Sequence, residues 1–120
     1  MSPAILPIRE GAEFFTSEGC HITELCNAPA DEEVSIARAR VAAGVTTRWH
    51  QLRGISERYV ILEGRGRMEV ADLPPTEVGP GDVVLIPPIC RQRITNVGDC
   101  DLIFLCVCIP GFRLEAYEEC

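Results

Sequence analysis

The chain of 120 residues carries 18 acidic and 11 basic side chains, which gives a formal charge of -7. This length fits a single domain with one hydrophobic core, and the negative charge excludes a cationic face that could bind a run of nucleic-acid phosphates. All the basic residues are arginines and only His21 and His50 are histidines, so lysine Schiff-base chemistry and a three-histidine metal site within one chain are excluded as well.

Short apolar stretches alternate with Gly, Pro, Asn and Asp along the chain, a pattern typical of an all-β sandwich or barrel. In chain order, the first predicted strand is residues 20–26, and the acidic segment 27–33 that follows is predicted to be a loop. The second predicted strand is residues 34–42, in which one face carries Arg38 and Arg40 and the other carries small or apolar side chains. This alternation predicts a half-exposed strand.

Glycine and proline bound the predicted strands of the second half. The Gly-Arg-Gly sequence at 64–66 predicts a tight hairpin turn between two strands, and the two prolines at 87–88 end another, because proline cannot donate to a central ladder. Residues 111–120 are predicted to form either a short helix or an arm over the barrel. The predicted strands in this half are residues 57–63, 67–70, 83–86, 92–97 and 101–109.

Seven cysteines and the absence of a secretory signal within residues 1–10 predict free thiols and a reducing, cytoplasmic location. Cys106 and Cys108 lie in an apolar run and are predicted to pack as small apolar side chains of a buried strand. The alternative for them is a Cys-x-Cys site for a soft metal ion. The uncharged run 102–112 contains Pro110 and is too short to cross a bilayer, so we expect no membrane partner.

Two segments in the middle of the chain carry the spacing of a known pair of motifs. Residues 44–64 resemble the first motif of the cupin superfamily, G-x5-H-x-H-x3,4-E-x6-G, and residues 81–96 resemble the second, G-x5-P-x-G-x2-H-x3-N. The resemblance implies an all-β, single-domain cupin jelly-roll β-barrel, the double-stranded β-helix, with a site in its lumen. It divides residues 1–120 into N-terminal strands and arm (1–43), the two motifs (44–96), and a closing strand and tail (97–120).

The resemblance also implies a metal site, because the family binds metal ions through histidines and a glutamate of the two motifs. His50 and Glu57 are retained here, Leu52 replaces the second histidine, and Gln92 replaces the third. His50, Glu57 and Gln92 are therefore the predicted ligands of a weak site for a divalent metal such as Mn, Fe, Ni, Cu or Zn, and its oxygen ligands favour the harder ions. The alternative is a barrel without its ion, in which Gln92 hydrogen-bonds His50 or Glu57. His21 is either a further ligand or a structural histidine.

Strand alternation adds further candidates around the lumen. If Arg48 shares a side with His50, it would bind a carboxylate or phosphate through two parallel hydrogen bonds; the alternative places it in solvent at the strand end. Glu57 or Tyr59 would move a proton. The candidates for ligand binding are Arg48, Leu52, Ile61 and Cys90, and those for catalysis are Glu57 and Tyr59.

Three functions are compatible with these candidates. The first is a metal-assisted enzyme of the isomerase, lyase or dioxygenase type that acts on a small molecule. The second is a metal-free module that binds or senses a small molecule in the lumen, and the third is a structural dimerisation domain. Whether the protein is an enzyme stays open, because function is determined by the site and not by the barrel. A homodimer is expected, since small cupins often pair through their sheets.

Overall fold

Two antiparallel β-sheets make up the fold in the computed structural model, which describes residues 1–9 and 11–120. The strands are β1 (Phe14–Phe15), β2 (His21–Ala28), β3 (Asp31–Val41), β4 (His50–Leu52), β5 (Ser56–Glu63), β6 (Gly66–Val70), β7 (Thr76–Val78), β8 (Val83–Ile86), β9 (Gln92–Asn96), β10 (Leu102–Ile109) and β11 (Tyr117–Glu119). One sheet has the order β1-β2-β3-β10-β5-β8 and the other the order β11-β4-β9-β6-β7. The predicted all-β jelly roll is confirmed. No helix in the described ranges has the length and apolar character needed to cross a membrane.

The hydrophobic core lies between the sheets, because each sheet contributes the buried face of its strands. In β5, Glu57, Tyr59 and Ile61 are buried while the residues between them are more exposed, which is the period of two expected for a half-buried strand. Ile61 joins Phe104 of β10 and Ile94 of β9 in the main cluster. A smaller core cluster consists of Leu52, Ile55, Cys108 and Ala116.

The acidic segment 27–33, predicted to be a loop, is instead part of a hairpin. Strand β2 ends at Ala28 and β3 begins at Asp31, and these two residues pair with each other across a turn of two residues. The charged side chains of Glu32 and Glu33 are exposed, so burial does not oppose their presence in a strand. Backbone hydrogen bonds between β2 and β3 therefore extend into this segment, although its composition is typical of a turn. Strands β1, β4, β7 and β11, each of two or three residues, were not predicted.

The turn at residues 64–66 exists, but the predicted hairpin is wrong because β5 and β6 belong to different sheets. Gly64 adopts a left-handed conformation with φ of 86°. A Cβ atom at this position would lie 2.8 Å from the carbonyl oxygen of Asp101 and 3.0 Å from the Cα atom of Leu102. The corner between the sheets thus needs glycine for its dihedral angles and for its close contact with the chain before β10.

Replacing Gly64 with alanine is expected to lower the free energy of unfolding by about 2–4 kcal/mol, because a strained φ adds to a clash with immobile backbone. Gly54→Ala is the matched control. Gly54 also has a positive φ, of 69°, but no atom lies within 4 Å of its added Cβ, so its loss should be about 1 kcal/mol. Urea unfolding followed by the fluorescence of Trp49, the single tryptophan, measures both. Equal losses would contradict the clash at Gly64.

Asn96, at the end of β9, connects three backbone segments through its side chain. The side chain is buried, with 1% exposure. Its Nδ2 donates to the carbonyl oxygens of Val41 at 2.9 Å and Cys100 at 2.7 Å, and its Oδ1 accepts from the N–H of Gly98 at 2.9 Å. The asparagine of the second motif therefore holds the turn between β9 and β10 against the end of β3.

The C-terminal segment, predicted to be a short helix or an arm over the barrel, is instead a short turn followed by a strand of the five-stranded sheet. A short 3-10 turn at Leu114–Ala116 leads into β11, which pairs with β4 so that Tyr117 lies opposite Leu52 and Glu119 lies opposite His50. The turn is too short to be an independent helix. Pairing with β4 brings Tyr117 to the strand that carries His50, and so to the centre of the molecule.

Candidate functional site

A cavity of about 140 Å³ lies inside the barrel. Its walls come from β1 and the turn that follows it, from the inward faces of β2, β3, β5 and β10, and from residues 112–117. The predicted metal ligands His50, Glu57 and Gln92 are all buried, with exposed fractions of 3%, 7% and 0%. The structure brings these three together: Glu57 lies on the cavity wall, Gln92 donates to it at 2.9 Å, and His50 lies opposite Gln92 in the pairing of β4 with β9. His50 and Gln92 do not themselves belong to the described wall.

His50 is oriented by its backbone neighbours. Its Nδ1 lies 2.7 Å from the carbonyl oxygen of Arg48, and because a carbonyl only accepts, Nδ1 carries the proton of this hydrogen bond. The Nε2 atom then faces Glu18, whose Oε2 is 3.3 Å away. The ring of Tyr117 stacks on the imidazole at a centroid distance of 5.3 Å. Nε2 is therefore the nitrogen of His50 available for proton transfer or for a ligand.

Glu57 is a buried carboxyl on the cavity wall. Its Oε1 accepts a hydrogen bond of 2.9 Å from Nε2 of Gln92, and its Oε2 accepts a long contact of 3.6 Å from the thiol of Cys108. Burial raises the pKa of Glu57, which outweighs the lowering by the Gln92 hydrogen bond, and the nearby Glu18 carboxylate raises it further. The site thus favours the protonated form of Glu57, the form that a general acid requires.

Two buried polar atoms at the site have no hydrogen-bond partner among the described residues. They are Oε1 of Gln92 and the hydroxyl oxygen of Tyr117. Because Nε2 of Gln92 donates to Glu57, its free Oε1 lies next to the same carboxyl. Buried polar atoms are usually paired, so each of these two atoms can take one further hydrogen bond.

Replacing Tyr117 with phenylalanine is expected to leave the free energy of unfolding unchanged or to raise it by up to about 1 kcal/mol, because an unpaired buried hydroxyl contributes no hydrogen bond to the free protein. Burial also raises the pKa of this hydroxyl to about 12, so it stays protonated at neutral pH. Urea unfolding monitored by Trp49 fluorescence measures the difference. A loss of 1 kcal/mol or more would mean that the hydroxyl has a partner in the free protein.

Of the two positions predicted for Arg48, the structure shows the one in solvent at the strand end and not the one on the lumen side with His50. Its side chain is 66% exposed and pairs with Glu119 at 3.6 Å. The reason is that β4 begins only at His50, so residue 48 lies outside the regular strand to which the alternation rule applies. A carboxylate or phosphate in the cavity therefore has no clamp from this guanidinium.

The remaining candidates lie in the core and not on the cavity wall. Tyr59 packs on Phe104 at a centroid distance of 4.4 Å, and burial raises the pKa of its hydroxyl well above the ordinary value. Three further candidates pack in or against the core and do not line the described part of the cavity wall: Leu52, Ile61 and Cys90. His21 contacts the ring of Phe15 edge-on at 4.9 Å and is likewise absent from the wall.

Sequence reasoning missed Glu18 and Tyr117. Glu18 lies in the turn between β1 and β2, and the N–H of Arg48 donates to its carbonyl oxygen at 2.8 Å, which holds it beside His50. Tyr117 arrives through the pairing of β11 with β4. Both depend on contacts between distant parts of the chain, for which no local pattern exists. Cys106 and Cys108 of β10 also line the cavity, and for them the sequence predicted only a buried strand.

The cysteines on the wall are neutral thiols. None of the seven cysteines forms a disulfide in the described part of the chain. Burial, followed by the charge of Glu57, raises the pKa of both Cys106 and Cys108, so neither thiol is ionised at neutral pH. They act as small apolar surfaces of the lumen, in line with the prediction for a buried strand.

Comparison with known proteins identifies similar chains and folds. The family model described as "Cupin domain" matches residues 37–108. The uncharacterized protein MJ1618 of Methanocaldococcus jannaschii is 36% identical over 107 residues, which cover 88% of this chain and 85% of that protein.

Several solved structures have a similar fold. A variant of Streptomyces PAC13 with uridine superposes with a TM-score of 0.80 at 17% identity, covering 100% of this chain and 92% of that one; Pac13 is described as a nucleoside dehydratase. KdgF from Halomonas sp. has a TM-score of 0.79 at 13% identity, covering 95% and 98%. A predicted oxalate decarboxylase from Thermotoga maritima has a TM-score of 0.74 at 24% identity, covering 87% and 98%. At these identities the likeness shows a shared fold only.

Proposed function

Since the chain belongs to the cupin domain family, we propose that it binds a small molecule in the lumen of its barrel and transfers a proton to or from that molecule. The observation that carries the proposal is the carboxyl of Glu57, which lines the cavity, is buried and has a raised pKa. A buried carboxyl of this kind suits general-acid chemistry. One structure with this fold is described as a nucleoside dehydratase, so the fold can hold an enzymatic site.

Each buried polar group has a part in the proposed reaction. Glu57 donates a proton to the bound molecule, and the hydrogen bond from Gln92 fixes the orientation of its carboxyl. Nε2 of His50 accepts a proton, with Glu18 at 3.3 Å to stabilise the imidazolium that results. The hydrogen bond from Nδ1 to the Arg48 carbonyl keeps the imidazole in the required tautomer.

A divalent metal ion is an alternative form of the proposal and not an addition to the proton transfer, because the ion would occupy the same Nε2 of His50 and the same carboxyl of Glu57. The donor set fits a weak site. Nε2 of His50, the carboxylate of Glu57 and the free Oε1 of Gln92 would hold it, with Glu18 nearby. Carboxylate and amide oxygens favour hard ions such as Mn or Mg over Fe, Ni, Cu or Zn. When bound, the ion would polarise an oxygen of the substrate. Among residues 1–9 and 11–120, no three His, Cys, Asp or Glu side chains form a group that could hold a metal ion, so the proposed site depends on the amide oxygen of Gln92 as a donor.

A screen for ligands and conversion tests this function. Mixtures of small metabolites are incubated with the protein, with and without added Mn, and followed by NMR and mass spectrometry. Ala37→Leu is the blocked variant, since Ala37 lies on the cavity wall between β2 and β10; Ala42→Leu, at an exposed position, is the control. We expect a compound that the wild type and Ala42→Leu bind and convert and that Ala37→Leu does not. Conversion that survives in a folded Ala37→Leu would place the reaction outside the lumen and contradict the proposal.

A second candidate function is a metal-free binding module, favoured by the apolar side chains that dominate the wall of the cavity, such as Ile22 and Phe112. Its signature in the same screen is a compound that binds without conversion and without metal. The seven unpaired cysteines support a cytoplasmic, reducing location for either function.

A homodimer through the edge of the six-stranded sheet is also part of the proposal. Strand β8 ends this sheet and pairs only with β5 in the described part of the chain, while its Val83 and Leu85 are 55% and 67% exposed. A second copy would pair with the open edge and cover these side chains. Leu85→Glu is therefore expected to shift the protein from dimer to monomer in sedimentation velocity experiments. A wild type that sediments as a monomer at all concentrations would contradict this interface.

A further inference from the structure

The wall of the cavity is mostly apolar. The aromatic rings of Phe14, Phe112 and Tyr117 line it, and so do the aliphatic side chains of Ile22 and Ala37. No arginine lines it as far as the described residues go. A charged group that left water for this wall would lose its hydration without gaining a cationic partner or a run of polar contacts.

The hydroxyls of the wall already have partners within the chain. Oγ of Ser35 accepts a hydrogen bond of 2.9 Å from the N–H of Phe112, and Oγ1 of Thr16 donates to the carbonyl of Cys20 at 3.0 Å. The hydroxyl oxygen of Tyr117 has no partner in the described chain, but it is itself buried, so Tyr117 contributes its ring to the wall. An occupant of the lumen is therefore not required to satisfy any of these groups.

The two least exposed carboxyls of the wall are engaged as well. Oε1 of Glu57 accepts from Nε2 of Gln92 at 2.9 Å, and Oε2 of Glu18 lies 3.3 Å from Nε2 of His50. The third carboxyl of the wall, that of Glu24, is exposed to solvent. A cation in the inner part of the cavity would thus compete with internal partners for both carboxyls.

The volume of the cavity limits its occupant to about one ring. The space measures about 140 Å³, and an apolar cavity of about 150 Å³ in a protein holds one benzene molecule. Aromatic side chains also pack favourably against a flat ring, edge-on or offset. A single six-membered ring therefore matches the space in size and the wall in chemistry.

We infer that the lumen binds an uncharged molecule the size of one six-membered ring. The ring would lie against Phe14, Phe112 and Tyr117, and one acceptor atom carried by it would face the carboxyl of Glu57. This inference rests on the proposed function, since it names the class of molecule bound at the same site.

Three probes of nearly equal shape test the choice of an uncharged molecule: benzyl alcohol, benzylamine and benzoate, titrated at pH 7 by isothermal calorimetry with EDTA present. We expect benzyl alcohol to bind at least about tenfold more tightly than either ion, because each ion must lose its hydration without a free partner. A fourth probe, 2-naphthylmethanol, tests the size and should bind at least about tenfold more weakly than benzyl alcohol. Absence of benzyl alcohol binding, or an ion or the two-ring alcohol binding as tightly, would overturn the inference.

The position of bound benzyl alcohol is tested in the wild-type protein by NMR. We expect intermolecular NOEs from its ring protons to the methyl groups of Ile22 and Ala37 and none to Ile89, which is 64% exposed and lies off the wall. Ala37→Leu should weaken binding at least about tenfold by filling the cavity, and Ala42→Leu, at an exposed position, should not. NOEs to Ile89 in place of Ile22 would contradict the site.

Failure of this inference and failure of the proposed function give different results. If benzylamine or benzoate binds best and shows NOEs to Ile22, the choice of an uncharged molecule is wrong while the lumen remains the binding site. If benzyl alcohol binds as expected and no compound of the screen is converted, the inference stands and the proposed proton transfer is wrong.

Discussion

Replacing Glu57 with glutamine is expected to lower turnover of the compound identified by the screen by about 100- to 10,000-fold, which is the usual contribution of a positioned general acid. Glutamine has the shape of a protonated glutamate, and its side-chain oxygen can still accept the hydrogen bond from Gln92. The variant lacks only the acidic proton, so the dissociation constant should change little. Steady-state rates and calorimetry on the two proteins measure both quantities.

Tyr59→Phe is the control for that experiment, because the Tyr59 hydroxyl was the other candidate acid and its ring packs in the core against Phe104. We expect it to keep the wild-type rate. If Glu57→Gln turns over at the wild-type rate, or if Tyr59→Phe loses turnover in its place, the assignment of Glu57 is wrong.

The same Glu57→Gln variant reports the protonation of Glu57 without any substrate. The pKa of Glu57 in the folded protein is raised above its ordinary value of 4.5. Folding therefore favours the protonated carboxyl, and the stability this contributes is complete below pH 4.5 and is lost as the pH rises through the folded pKa. The free energy of unfolding of the wild type relative to Glu57→Gln should decrease by up to about 1.4 kcal/mol per pH unit in this window. A difference that is independent of pH would contradict the raised pKa.

Replacing Asn96 with leucine is expected to lower the free energy of unfolding by about 3–5 kcal/mol, since each buried backbone group left unpaired costs about 1–3 kcal/mol. The carbonyls of Val41 and Cys100 and the N–H of Gly98 all lose their partner at once. A loss of this size is a large part of the stability of an ordinary domain. Thermal and urea unfolding of the purified variant measure it.

Asn27→Leu provides the matched comparison, because the Asn27 side chain donates one exposed hydrogen bond, to the carbonyl of Phe112 at 3.0 Å. Its loss should cost about 1 kcal/mol or less. Similar losses at both positions would show that the network around Asn96 contributes nothing beyond a single bond.

Much of the fold could be predicted from the sequence, because the two motifs place glycine and asparagine at fixed spacing, where the backbone requires these residue types. Gly64 is required by a positive φ and a close backbone contact, and Asn96 by three backbone groups. What the spacing could not give was the sheet to which a strand belongs. The turn at 64–66 has the composition of a hairpin, yet it joins two sheets, since pairing partners are chosen by contacts across the whole molecule.

The candidate site divides in the same way. His50, Glu57 and Gln92 lie on strands whose inward positions follow from alternation, and the register of β4 with β9 sets His50 opposite Gln92. Glu18 comes from a turn that precedes β2, and Tyr117 comes from a strand near residue 120. Neither residue is part of a local sequence pattern that predicts a position at the lumen. Tyr117 is placed by pairing with Leu52, more than sixty residues away in the chain. Glu18 is placed by one backbone hydrogen bond, from the N–H of Arg48.

Residue 48 acts on the site through its main chain alone. The N–H of Arg48 donates to the carbonyl of Glu18, and the carbonyl of Arg48 accepts from Nδ1 of His50. The guanidinium lies in solvent and pairs with Glu119. The position therefore tolerates any side chain that leaves the amide hydrogen in place, and proline is the residue that removes it. Homologues could therefore carry many different side chains at this position and still hold Glu18 and His50 in place. The site requires the backbone N–H and C=O of residue 48 and not its side chain.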